Sequence, residues 1–104
     1  MIHHPNYFLS YNRYIRVFRG KIKMKTLNDV VVERLCKFMG EKNLTQYRLS
    51  QLSGVPFPTI KSIMQKRTKG ISLKTIILLA YGLDITPSEF IDDISFLADN
   101  LDLE

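Results

Sequence analysis

Lys61, Lys66, Arg67 and Lys69 lie in a stretch, residues 42–83, that holds seven basic residues and no carboxylate. Ammonium and guanidinium groups gathered this way neutralise phosphates, so the chemistry they support is binding to a polyanion. Residues for bond-making are not assembled anywhere. His3 and His4 stand at the extreme terminus with no second group of ligands, so disorder rather than a metal site is expected there. Cys36 has apolar neighbours and reads as a core or boundary residue. As the single cysteine it forms no internal disulfide, which fits a reducing cytoplasm. Asp92 and Asp93 read as solvated carboxylates, and no glycine-rich phosphate loop is present. Neither enzyme activity nor a cofactor is expected.

The distribution of charge is more informative than its sum. The chain has 104 residues and a net charge of +5, enough for one small domain with an arm. Residues 1–23 carry five basic residues and no acidic ones, and the remainder carries ten of each. That neutral remainder is itself divided, because residues 84–104 hold seven acids and no bases. The longest apolar run, residues 76–81, falls far short of the ~20 residues that span a bilayer. Arg13, Arg16 and Arg19 break the N-terminal apolar runs, so no signal-peptide core is present. A cytoplasmic protein without a membrane partner is expected.

The elements that must position the cations are helical throughout from Leu27. Val31, Leu35, Phe38 and Met39 recur at helical spacing, with Asn28 or Asp29 as cap and an end near Lys42-Asn43. Thr45 caps a second helix, Gln46–Ser53, that is expected to bury Leu49 and Leu52 before Gly54 stops it. A third helix carries Ile60, Ile63 and Met64; Pro56 and Pro58 are tolerated because first-turn N–H groups lack intrahelical partners. Ser72 caps a fourth, with Leu73, Ile76, Ile77, Leu79 and Ala80, ending at Gly82. Thr86-Pro87-Ser88-Glu89 combines a capping box with proline at the first helical position. This fifth helix is expected to bury Phe90 and Ile91 and to run on through Ile94, Leu97 and Leu101. The expected layout is an arm over residues 1–26, a domain over 27–92 and an acidic helical extension over 93–104.

Residues 43–64 read NLTQYRLSQLSGVPFPTIKSIM. Two short helices joined by a glycine-containing turn match a helix-turn-helix, whose second helix enters a major groove, although a helical hairpin has the same spacing. Ser50 is small where the helices should cross. Leu49, Val55, Ile60 and Ile63 point into the angle between them, leaving Phe57, Pro58, Lys61, Ser62 and Gln65 outside.

Here the sequence resembles the lambda-repressor-like, Cro-type helix-turn-helix family, often called the XRE family. The resemblance covers residues 31–90 and rests on Leu44-Thr45-Gln46, the LSGV turn at residues 52–55, Thr59-Ile60 and the SLKTIILLAYGLDITPSEF helix pair at residues 72–90. It implies an all-α, compact five-helix domain that binds double-stranded DNA. It further implies that Phe57, Pro58, Lys61 and Ser62 face base edges. Thr45, Gln46, Thr59, Lys66, Arg67 and Lys69 would contact phosphates. Pro56 departs from the family's capping serine or threonine. Phe57 and Pro58 stand where hydrogen-bonding side chains are usual, so they offer only apolar contact, for example with thymine methyl groups.

A module this small is expected to act as a homodimer on an inverted repeat, as a transcriptional repressor. Ile91, Ile94, Leu97 and Leu101 form an apolar stripe that would serve as the dimer surface or fold back on the domain. The competing class is an interaction module, such as an antitoxin that binds a toxin. The arm also has two readings. Tyr7, Tyr11, Tyr14 (or Ile15) and Phe18 could line a basic, aromatic-faced helix. Alternatively translation begins at Met24, with Arg19-Gly20-Lys21 encoded by a purine-rich ribosome-binding site.

Overall fold

The computed structural model describes residues 24–103. His3, His4 and the arm through Lys23 lie outside the described residues. Helix α1 spans Leu27–Lys42. It starts earlier than an Asn28 or Asp29 cap would place it. The Thr26 hydroxyl accepts the Asp29 N–H at 3.1 Å, and the Asp29 carboxylate accepts the Thr26 N–H at 3.3 Å. Asp29 is therefore the acidic partner of a capping box whose cap is Thr26. Asn43 ends the helix in the left-handed region at φ 57°.

Local signals also place α2 (Gln46–Ser53), α3 (Phe57–Met64), α4 (Leu73–Gly82) and α5 (Pro87–Ile91). The hydroxyls of Thr45, Ser72 and Thr86 each accept the N–H three residues on, at 3.0–3.1 Å. The helices enclose one core, in which Leu35, Leu49, Ile60, Leu79, Leu83 and Phe90 are fully buried. Burial departs from the sequence reading at three positions: Cys36, Leu52 and, on α5, Ile91. Cys36 is exposed on α1 rather than packed in the core or at its boundary. Leu52 is exposed, and Ser53 is buried in its place.

The exchange of Leu52 for Ser53 has a steric cause. A Cβ built on Gly82 of α4 would sit 2.6 Å from the Ser53 Cβ. Only two small residues permit that approach, so α2 turns Ser53 towards α4 and Leu52 towards solvent. Ser50, the small residue expected at a helix crossing, instead donates its hydroxyl to the Tyr47 carbonyl of its own helix, at 2.6 Å.

Helix α5 stops at Ile91 and does not continue through Ile94, Leu97 and Leu101. A longer helix would use the Glu89 and Phe90 carbonyls as internal acceptors. The buried Arg34 of α1 meets those carbonyls instead: Nε donates to Phe90 and Nη2 to Glu89, both at 2.7 Å, and the Glu89 carbonyl also accepts the Asp92 N–H at 3.3 Å in a closing turn. Beyond Ile91 the chain forms two 3-10 turns, Ile94–Phe96 and Ala98–Asn100. Leu101–Asp102 (β2) then pairs in parallel with Lys25–Thr26 (β1), in the register Lys25 to Leu101 and Thr26 to Asp102. Ile91 is exposed, whereas Leu101 is buried. The expected stripe is therefore divided, with Ile91 on α5, Ile94 in the first 3-10 turn, Leu97 between the two turns and Leu101 on β2.

Replacing Arg34 by methionine leaves the buried Phe90 carbonyl without its donor and removes the side-chain bond to the Glu89 carbonyl. Urea unfolding should show a loss of about 3 kcal/mol. The two glycines on helices α1 and α4 should respond with opposite signs. Gly82→Ala forces α2 and α4 apart and should cost about 2 kcal/mol. Gly40→Ala meets nothing within 4 Å and should stabilise α1 by roughly 0.5–1 kcal/mol, read from the same denaturation midpoints.

Candidate nucleic-acid interface

The turn between α2 and α3 is built from three consecutive residues. Gly54 takes φ 78°, where a side chain would be strained, and its N–H donates to the Ser50 carbonyl at 3.0 Å. The Ser53 hydroxyl accepts the Val55 N–H at 3.1 Å, and Val55 is buried beneath the turn. Pro56 starts α3 in an extended conformation with no side-chain cap; its carbonyl accepts the N–H groups of Thr59 and Ile60 at 3.0 and 3.1 Å. Leu49, Val55, Ile60 and Ile63 are all buried and fix the angle between the helices.

That packing leaves the opposite side of α3 to solvent. Pro58, Thr59, Lys61 and Gln65 are exposed, and Phe57 and Ser62 are half-buried. The Phe57 ring is engaged twice: Tyr47 of α2 meets it edge-on with centroids 5.8 Å apart, and the Lys61 ammonium lies 5.8 Å from its centroid. A cation at this distance from a ring is attracted by the ring quadrupole. Phe57 thus orients Lys61 besides presenting apolar surface. The sequence reading missed Tyr47. Its signal is a large aromatic one turn before Ser50, on the outward side of a short capped helix.

The loop after α3 is tied to the start of α1. Asn28 donates its side-chain amide to the Thr68 carbonyl, and the Lys66 ammonium lies 3.1 Å from the Asp29 carboxylate. Lys66 adopts φ 60°, a left-handed conformation that carries local strain in a residue with a side chain. The other two acids of α1 are paired within their own neighbourhood, Glu33 with Lys25 and Glu41 with Lys37. Lys61, Arg67 and Lys69 have no carboxylate partner among the described residues. Thr45 is exposed at the head of α2 with Gln46 half-buried behind it. A cleft of about 470 Å³ opens between this loop, the first turn of α1 and β2.

Among the described residues no group of three or more His, Cys, Asp or Glu side chains could hold a metal ion. No described helix is long and apolar enough to cross a membrane. A capped first helix, a left-handed glycine turn and a second helix whose solvent-facing side carries Lys61 define a helix-turn-helix domain. A family model of the Cro/C1-type helix-turn-helix DNA-binding domain matches residues 34–95, well over half of the chain. The protein belongs to that family, and membership supports DNA binding by a small regulator. No curated protein matches the chain.

The Lys66 ammonium, together with the Thr26 hydroxyl and N–H, holds the Asp29 carboxyl below its ordinary value of 3.8. A depressed carboxylate stabilises the fold above its unfolded pKa and loses that contribution as pH falls through the folded one. The clamp between loop and α1 should therefore persist at neutral pH and release only as pH falls through the lowered Asp29 pKa, beneath the ordinary value of 3.8. In Lys66→Met the Asp29 titration, followed by carboxyl-carbon NMR, should move up towards the ordinary value.

Proposed function

We propose that this protein binds specific sequences in double-stranded DNA as a small transcriptional repressor in the cytoplasm, working as a homodimer on an inverted repeat. Residues 56–64 occupy the major groove. Lys61 and Ser62 read base edges, with Phe57 and Pro58 against apolar base surface such as thymine methyl groups. Thr45, Gln46 and Thr59 contact phosphates at the helix ends, and Arg67 and Lys69 follow the backbone beyond α3. Lys66 contributes less, because Asp29 already shares its charge. Repression follows from occupancy, since a protein seated on a promoter excludes others.

One observation carries this reading. Exposed Lys61 of α3 and exposed Arg67 and Lys69 of its loop stand free of carboxylates among the described residues, in a chain of a DNA-binding family. Two half-sites then lie about 34 Å apart, or a multiple of that, on one face of the duplex. A second reading, a module that binds a protein such as a toxin, is favoured by the solvent-facing Tyr47 beside Phe57.

Selection from a random duplex pool, followed by titration at several salt concentrations, separates these readings. Arg67→Ala should weaken cognate and random duplexes alike and reduce the log–log salt slope by about 0.9. Lys61→Ala should cost roughly 1–3 kcal/mol on the cognate site and relax preference at one base pair. Equal losses for both variants on both duplexes would overturn the division between reader and anchor. The absence of any salt-sensitive binding would favour the protein-binding reading.

A further inference from the structure

Helix α4 reads LKTIILLAYG, apolar on every side except at Lys74 and Thr75. Its inner side is used, with Ile76, Leu79 and Ala80 buried in the core. Its outer side is not. Leu73, Ile77 and Tyr81, spaced at i, i+4 and i+8, are 72%, 45% and 75% exposed. A surface helix of a small soluble domain normally carries polar residues there, and one that is apolar all round is covered on both sides. Three large apolar side chains in a row mark a surface that another body covers.

The charges beside the stripe identify that body. Lys74 stands in the first turn of α4. Asp84 lies just past its last turn, where its N–H donates to the Tyr81 carbonyl at 3.0 Å. Both are exposed, and neither has an ion-pair partner among the described residues. A stripe centred on Ile77, with a cation at one end and an anion at the other, is complementary to itself after a half-turn. Ile77 then meets Ile77 of the second copy, Leu73 meets Tyr81, and each Lys74 faces the other copy's Asp84. Antiparallel helix dipoles favour the same arrangement. The chain's own N-terminal arm, with five cations and no acids, would bring like charge to Lys74.

We propose that the outer face of α4 is a two-fold dimer surface on which two copies of this chain pack antiparallel, with Ile77 on the axis. The proposal rests on the DNA-binding reading only for the symmetry of the operator; the dimer itself forms without DNA. The helix has ten residues, a length of about 15 Å. The surface along it is smaller than the ~800 Å² per partner of a standard interface. The free dimer therefore dissociates in the micromolar range and is consolidated on paired half-sites.

The test uses the full chain. Oxidation of the Cys36→Ser, Ile77→Cys variant should yield a disulfide-linked dimer, and Cys36→Ser, Ile91→Cys should not. In sedimentation velocity through the micromolar range, Lys74→Glu and Asp84→Lys should each weaken dimerisation at least tenfold. A mixture of the two should restore it, because both cross-pairs are then opposite in sign. Lys66 already occupies φ 60° in this fold, so a lysine at position 84, φ 61°, is sterically tolerable. Linkage at position 91 instead, or a monomer throughout with position 77 unlinked, overturns the proposal. So does a monomer in which the thiol introduced at position 77 is shielded from thiol reagents, which would assign the stripe to the arm. A linked dimer that binds no DNA would sink the DNA reading and leave this surface standing. DNA binding by a monomer would do the reverse.

Discussion

The buried guanidinium of Arg34 is the contact on which the rest of the domain depends. It reaches from α1 to the end of α5, donating to the Phe90 and Glu89 carbonyls at 2.7 Å and to Asp92 at 3.4 Å. Those carbonyls form the negative pole of a five-residue helix too short to hold itself. A planar cation with several donors suits this task in a way that lysine does not. Its presence brings Phe90 into the core, with its ring 6.2 Å from that of Phe38. Phe90 backs α4, α4 meets α2 through Gly82 and Ser53, and α2 sets the turn from which α3 departs. The family match begins at this arginine.

The electrostatic plan follows from which acids are near which bases. Each carboxylate of α1 is matched to a lysine: Glu33 to Lys25, Glu41 to Lys37 and Asp29 to Lys66. With those acids occupied, the outward side of α3 keeps its cationic character. Lys66 sits at the boundary of this scheme. Its charge holds the loop against α1, and that fixed loop in turn presents Arg67 and Lys69.

What the sequence made legible is what acts over three or four residues. Thr45, Ser72 and Thr86 announce helix starts because a hydroxyl reaches an N–H three positions away, and Gly54 announces a turn by its own backbone freedom. The core positions of α3 followed from spacing alone. Thr26 escaped because three polar residues compete to cap α1, and only the reciprocal bond with Asp29 decides among them. Leu52 was misplaced because an apolar residue next to a small one ordinarily turns inward; the close approach of Gly82, from a helix much later in the chain, reverses that. Arg34 was invisible as a clamp, since its acceptors lie more than 50 residues distant. Tyr47 joined the candidate site only when α2 and α3 were placed side by side.

Helix α3 is anchored by Ile60 and Ile63 from behind, and its outward residues Pro58 and Lys61 hold no part of the core. Substitutions at such positions usually change stability by less than about 0.5 kcal/mol. The folding threshold and the choice of binding sequence are thus set by different side chains on the same two turns of helix. A lineage built on this scaffold can wander through new specificities without passing through unfolded intermediates, and a designer can do the same.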